Sequence, residues 1–146
     1  IITSLDLDAY RQEQFNLKLQ RKYKEIEEKE VRFEKIACDD ADYLLVAYGS
    51  SSRICQKAIE IAREKGIKVG LLRPITLFPY PTKAIQSMLG QVKGILAVEM
   101  SAGQMVEDVR LAVEGKVKVQ HYGRMGGVIP TPNEIVKALE EQLING

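Results

Sequence analysis

The stretch Tyr43 to Leu72, YLLVAYGSSSRICQKAIEIAREKGIKVGLL, decides the fold. Its first six residues, Tyr43 to Tyr48, form a nearly continuous apolar run, the pattern of a strand covered on both faces. A glycine and three serines follow. From about Ser51 to Lys65 the apolar residues Ile54, Ala58, Ile61 and Ala62 recur at helical spacing, with Gly66 placed to stop the helix. Ile67 to Leu72 reads as the next strand. Strand, helix and strand in thirty residues make one crossover unit, which is right-handed in nearly all known sheets.

The alternation continues to the end of the chain. Arg73 to Pro81 contains three prolines, which fix φ and remove donors, so it is expected to be a rigid, shaped loop, with Pro81 opening a helix that runs to Leu89. Gly94 to Glu99 reads as a strand. Gly103 to Val113 reads as a helix with Met105, Val109 and Ala112 on one side, stopped at Gly115. Val117 to His121 alternates apolar and polar like a half-exposed edge strand. Thr131, Pro132 and Glu134 give the final helix an N-cap, an N1 proline and a capping box, with Ile135, Leu139 and Leu143 as its buried stripe. Before this region, Leu7 to Glu30 is charge-rich but carries Phe15, Leu19, Tyr23 and Ile26 at steps of four, four and three. That is an exposed helix expected to rest one apolar stripe on the domain. Val31 to Ile36 is compatible with a short strand. The division expected is a lead-in helix over residues 1–30 and an α/β domain over 31–146, with a mostly parallel sheet and helices on both faces.

Composition narrows the function. A chain of 146 residues supports one domain with one core. Its 21 Lys and Arg balance 20 Asp and Glu, so no net field draws it to nucleic acid or to an anionic membrane. Cys38 and Cys55 lack metal-ligand spacing, and the single histidine, His121, excludes a multi-histidine metal site. No apolar run approaches the roughly 20 residues that span a bilayer. A cytoplasmic setting is expected, and the chain, beginning at Ile1, reads as part of a longer polypeptide.

Functional groups in such sheets collect at the carboxyl ends of the strands, which selects Ser50, Ser51, Arg73, Glu99, Ser101, Gln104, His121 and Arg124. The serines after Gly49 suit helix capping or an anion contact, with one glycine where a dinucleotide fingerprint has three. Glu99 suits an interface or orienting role, or that of a general base. His121 reads as a hydrogen-bonded edge-strand residue or an isolated acid–base group. Cys55 is expected to be a packed thiol, and Cys38 to have its pKa raised by Asp39 and Asp40. The glycine-rich turn Tyr122 to Gly127 suits the close approach of another chain or an anion contact at Arg124.

Three ordered motifs, Leu72 to Pro79 (LRPITLFP), Val98 to Met105 (VEMSAGQM) and Tyr122 to Gly127 (YGRMGG), resemble the alpha subunit of 2-oxoacid:ferredoxin oxidoreductases, most closely the 2-oxoisovalerate type. The resemblance covers essentially the whole chain. It implies a transketolase C-terminal-like domain: a three-layer fold around about five strands, mostly parallel with one allowed to be antiparallel, after a lead-in helix. It also implies a parent complex that decarboxylates a branched-chain 2-oxo acid on thiamine diphosphate with magnesium, passes the acyl group to coenzyme A and sends electrons through iron–sulfur clusters to ferredoxin. This piece has no G-D-G motif with a downstream asparagine for magnesium diphosphate and no cluster cysteines, so those groups are expected on the beta and other subunits. No catalytic, cofactor or metal residue is assigned here. Ser50, Arg73, Glu99, Gln104 and Arg124 are expected to shape the loop face and subunit contacts. Two other readings stand beside this one, a self-sufficient anion- or nucleotide-binding domain and a dimerisation module.

Overall fold

A computed structural model describes residues 5–146. Helix α1 (Ala9–Lys29) precedes a five-stranded sheet in the order β1-β3-β2-β4-β5. The strands are β1 (Phe33–Ile36), β2 (Tyr43–Val46), β3 (Val69–Pro74), β4 (Gly94–Glu99) and β5 (Lys118–Gly123). All neighbours pair in parallel except β1, which runs antiparallel to β3 at one edge. The helices are α2 (Gly49–Glu64), the short α3 (Thr82–Gln86), α4 (Met105–Val113) and α5 (Pro132–Leu139), the last continued by a π-helical turn at Glu140–Ile144.

Two apolar layers hold the sheet. On one face α3 and α4 bury Ala84, Ile85, Met105, Val106 and Val109 against Leu44, Val46, Leu72, Ile95 and Ala97. On the other, α2 and α5 bury Cys55, Ala58, Ile59, Ile135 and Leu139 against Leu45, Leu71, Leu96 and Val98. The alternating residues of β2, β3 and β4 thus serve both layers, which is why these strands read as continuous apolar runs. Fully burying each leucine or isoleucine contributes about 1.5–3 kcal/mol.

Several expected boundaries shift, for identifiable reasons. The inward face of α2 centres on Cys55, Ala58, Ile59 and Ala62, with Ile54 and Ile61 only partly buried at its flank, and the helix begins two residues earlier than its apolar pattern suggested. Strand β3 continues through Arg73 and Pro74, which the three prolines had argued against. Its partner β1 sits opposite, with Phe33 facing Pro74, and at a strand end an absent N–H removes little from the ladder. The loop beyond contains a cis peptide bond at Phe78–Pro79, and Pro81 caps a helix of five residues rather than one reaching Leu89. The capping box of α5 forms as read: Thr131 Oγ1 accepts the Glu134 N–H and the Glu134 carboxylate accepts the Thr131 N–H.

Helix α1 departs most from expectation. Asp8 caps it by accepting the N–H groups of Tyr10 and Arg11, yet none of its residues is buried. Its stripe rests on the domain only in part: Leu19 and Ile26 are partly covered, Phe15 is exposed, and the Tyr23 ring meets Phe78 edge-on with centroids 6.2 Å apart. Between α1 and the proline loop lies an open groove of about 780 Å³, lined among others by Glu27, Val31, Phe33, Phe78 and Tyr80.

Candidate functional site: the carboxyl edge of the sheet

Because β2, β3, β4 and β5 run in parallel, their carboxyl ends, and with them all five candidate residues, emerge at one edge. The chain passes from β2 to β3 on one side and later returns to β4 on the other. The loops leaving β2 and β4 therefore diverge to opposite faces, the topological switch where open α/β sheets place their functional groups. The Gly49–Ser52 turn and the Met100–Gln104 loop flank this switch.

Glu99 organises the edge. Its side chain ends β4 pointing to the α3/α4 layer and is 2% exposed. Buried carboxylates need compensation, and here the amino end of α4 supplies it. The N–H groups of Gln104 and Met105 donate to Oε2 at 3.1 and 2.9 Å, the Val106 N–H donates to Oε1 at 2.9 Å, and the Ser101 hydroxyl donates to Oε2 at 3.1 Å. Burial acts to raise the Glu99 pKa, but the donors of Met105, Val106, Gln104 and Ser101 outweigh it and hold the carboxyl below its ordinary range. Gln104, the residue at the N-cap position, gives α4 no side-chain cap; Glu99 does so from five residues upstream. Glu99 thus caps α4 from within, with both carboxylate oxygens engaged by protein donors.

The neighbouring loops lock onto the same point. The Arg124 N–H donates to the Glu99 carbonyl at 3.2 Å. A Cβ at Gly123 would lie 2.2 Å from the Ser101 carbonyl oxygen and 2.6 Å from His121 Cε1, so only glycine lets the loop after β4 cross the end of β5. His121 Nε2 lies 3.7 Å from Glu99 Oε1, closed off from solvent and without a hydrogen-bond partner. Tyr80 also has a buried, unpartnered hydroxyl in this layer, and its pKa is raised, by burial first and then by the charges of Asp108 and Glu99.

The other candidates are tied down individually. The Arg124 guanidinium donates to Glu134 Oε1 at 3.0 Å and so braces the cap of α5. Arg73 donates to Glu34 on the antiparallel edge strand at 2.8 Å. The serine turn differs from the capping expected of it: Tyr48 occupies the N-cap position with no side-chain bond, Gly49 takes a φ of +56°, Ser50 is exposed, and Ser52 turns its hydroxyl back to the Gly49 carbonyl. Cys55 is fully buried, which pushes its thiol up to about 12. Cys38 is also raised, but burial is the main cause and Asp39 the smallest; its thiol donates to the Leu71 carbonyl.

Of the groups that the family resemblance implies, a metal ion and an iron–sulfur cluster do not fit these residues. Among the described residues no three His, Cys, Asp or Glu side chains gather to hold a metal ion. Both oxygens of Glu99 are already engaged by protein donors, and both cysteines are buried thiols rather than exposed thiolates. No helix among them is long and apolar enough to cross a membrane.

Sheet order, single antiparallel edge and two helical layers define a three-layer α/β domain. Its fold is shared with a 2-oxoglutarate:ferredoxin oxidoreductase from Magnetococcus marinus, at a TM-score of 0.73 and 19% identity over 93% of this chain and 24% of that one. A split-gene transketolase is similar over 77% of this chain and 41% of its own, at a TM-score of 0.66 and 15% identity. In sequence the chain is 46% identical over 141 residues to the ketoisovalerate oxidoreductase subunit VorB of Methanothermobacter thermautotrophicus, covering 97% of this chain and 40% of that protein. Residues 41–135 match the model of the pyruvate:ferredoxin oxidoreductase core domain II, and the chain belongs to that family. It spans about 40% of the length of this curated relative.

Proposed function

We propose that this chain is the carboxy-terminal domain of the alpha subunit of a cytoplasmic 2-oxoacid:ferredoxin oxidoreductase that converts a branched-chain 2-oxo acid, of the ketoisovalerate type, to its acyl-CoA. The observation that carries this reading is the 46% identity to a ketoisovalerate oxidoreductase subunit along nearly the whole chain. The domain acts in assembly. Thiamine diphosphate, magnesium, the iron–sulfur clusters and the sites for coenzyme A and ferredoxin belong to the rest of the complex, whose beta and other subunits are its partners.

Two surfaces support an assembly role. Helix α1 leaves large apolar side chains uncovered in this chain, with Tyr10, Phe15 and Leu17 exposed. At the carboxyl edge Met100, Met125, Val128 and Ile129 are exposed beside Glu99 and Arg124. Exposed apolar groups clustered in this way mark contact surfaces. Ser50, Arg73, Gln104 and Arg124 frame that edge, while Glu99 fixes its shape from within; residues 1–30 form the lead-in and 31–146 the domain.

The reading is tested by restoring the chain to a full-length alpha subunit, co-expressing it with the beta subunit and measuring dye reduction with a panel of 2-oxo acids and coenzyme A. Reduction that is fastest with branched-chain acids is expected. Reduction confined to 2-oxoglutarate would reject the substrate assignment, and none with any 2-oxo acid in an assembled complex would reject the activity.

A further inference from the structure

Glu99 and His121 leave the two nitrogens of one imidazole in different surroundings. Nε2 is closed off from solvent and faces Glu99 Oε1 at 3.7 Å, a few tenths of an ångström beyond hydrogen-bond reach. Among the described residues Nδ1 has no hydrogen-bond partner, it is not enclosed in this way, and the side chain keeps 21% of its exposure. The same ring edge, Cε1 and Nε2, is held between two glycines: a Cβ at Gly103 would sit 3.8 Å from it and one at Gly123 within 3 Å. The slot therefore fixes which edge of the ring turns inward.

A neutral imidazole carries its proton on one nitrogen and a lone pair on the other. A lone pair on Nε2 would face a carboxylate that four donors hold in its charged form, an unfavourable arrangement in a buried site. A proton on Nε2 faces the same carboxylate favourably. We infer that Glu99 and His121 form a carboxylate–imidazole pair in which Glu99 holds the proton on Nε2 and leaves Nδ1 as a bare acceptor at the carboxyl edge, a binding point for a ligand or partner group that offers an N–H or O–H. Glu99 is the positioning residue and His121 the residue that makes the contact. The register of β4 and β5 builds the pair: Ala97 lies opposite His121, so Glu99, two residues on, shares its face. This inference concerns the chain itself and stands whether or not the proposed oxidoreductase activity does.

The sequence contains one histidine, so its imidazole signals and chemical adducts need no assignment. Diethyl pyrocarbonate, which acylates the nitrogen with a free, accessible lone pair, is expected to modify His121 of the folded chain on Nδ1. Nitrogen-15 NMR of the unmodified chain is expected to show the Nε2–H tautomer, with a proton that exchanges slowly with water. Modification on Nε2, an even mixture of the two adducts, or no adduct while the chain is folded would each overturn the inference. The variant Glu99→Gln is expected to speed exchange of the Nε2 proton. Should that variant fold poorly, the slow Nε2 proton and the Nδ1 adduct of the unaltered chain still decide the matter, since a freely solvated imidazole gives neither.

Discussion

Replacing Glu99 by alanine removes the only side-chain acceptor that, among the described residues, the first turn of α4 uses. The N–H groups of Met105 and Val106 are buried and that of Gln104 is partly so, and each loses its partner. A buried donor left unsatisfied costs about 1–3 kcal/mol, and loss of a helix cap about 1 kcal/mol in simpler settings. Against this stands relief from burying a carboxylate, together with water reaching the more open Gln104 end. The balance comes to about 3 kcal/mol, a large part of the 5–15 kcal/mol that holds a typical domain. Urea unfolding followed by far-UV circular dichroism measures it directly. With a slope of about 1–3 kcal/mol per molar, the midpoint should fall by roughly 1–3 M. The charge adds a pH signature. The Glu99 pKa is lowered on folding, so its contribution is complete above the unfolded value of about 4.3 and is lost as pH falls through the folded value. The stability gap between the unaltered chain and Glu99→Gln should therefore be widest near neutral pH and close on acidification. A loss below about 0.5 kcal/mol for Glu99→Ala, or a gap that widens in acid, would refute the capping argument.

Other outcomes follow from the same geometry. Gly123→Ala forces a Cβ against the Ser101 carbonyl and should destabilise by about 1–3 kcal/mol, seen as a lowered melting temperature, whereas alanine at Gly90, where a Cβ would meet nothing within 4 Å, should not. Thr131→Ala removes one half of the α5 capping box and should cost about 1 kcal/mol in the same urea assay. Cys38 and Cys55, both buried, should resist a thiol reagent at pH 8 until the chain is unfolded, when two equivalents react; fast labelling of native Cys55 would contradict its packing.

The sequence made the strands and most helices legible because their burial is two-sided or periodic: β2 and β4 as apolar runs, α5 through Thr131, Pro132 and Glu134. It also marked the carboxyl edge as the place to look. What it did not show depends on contacts between distant residues. The span from Glu99 to Val106 has no local signature as a cap, because the acceptor sits on the preceding strand and not at the N-cap position. The approach of His121 to Glu99 required the register of β4 and β5, although the matching alternation of Ile95, Ala97 and Glu99 with Val119 and His121 hinted at a shared face. The strand ending at Pro74 was hidden by its prolines, and the cover of α1 was only partly legible because an apolar stripe tells what wants covering but not what covers it.

In the proposed role this domain assembles a larger enzyme. The most direct test is to purify a tagged beta subunit after co-expression with the full-length alpha subunit, with and without the segment corresponding to residues 31–146, and to weigh the complexes by light scattering. The account predicts a stable complex only when the segment is present; a complex of unchanged mass and yield without it would contradict the assembly role.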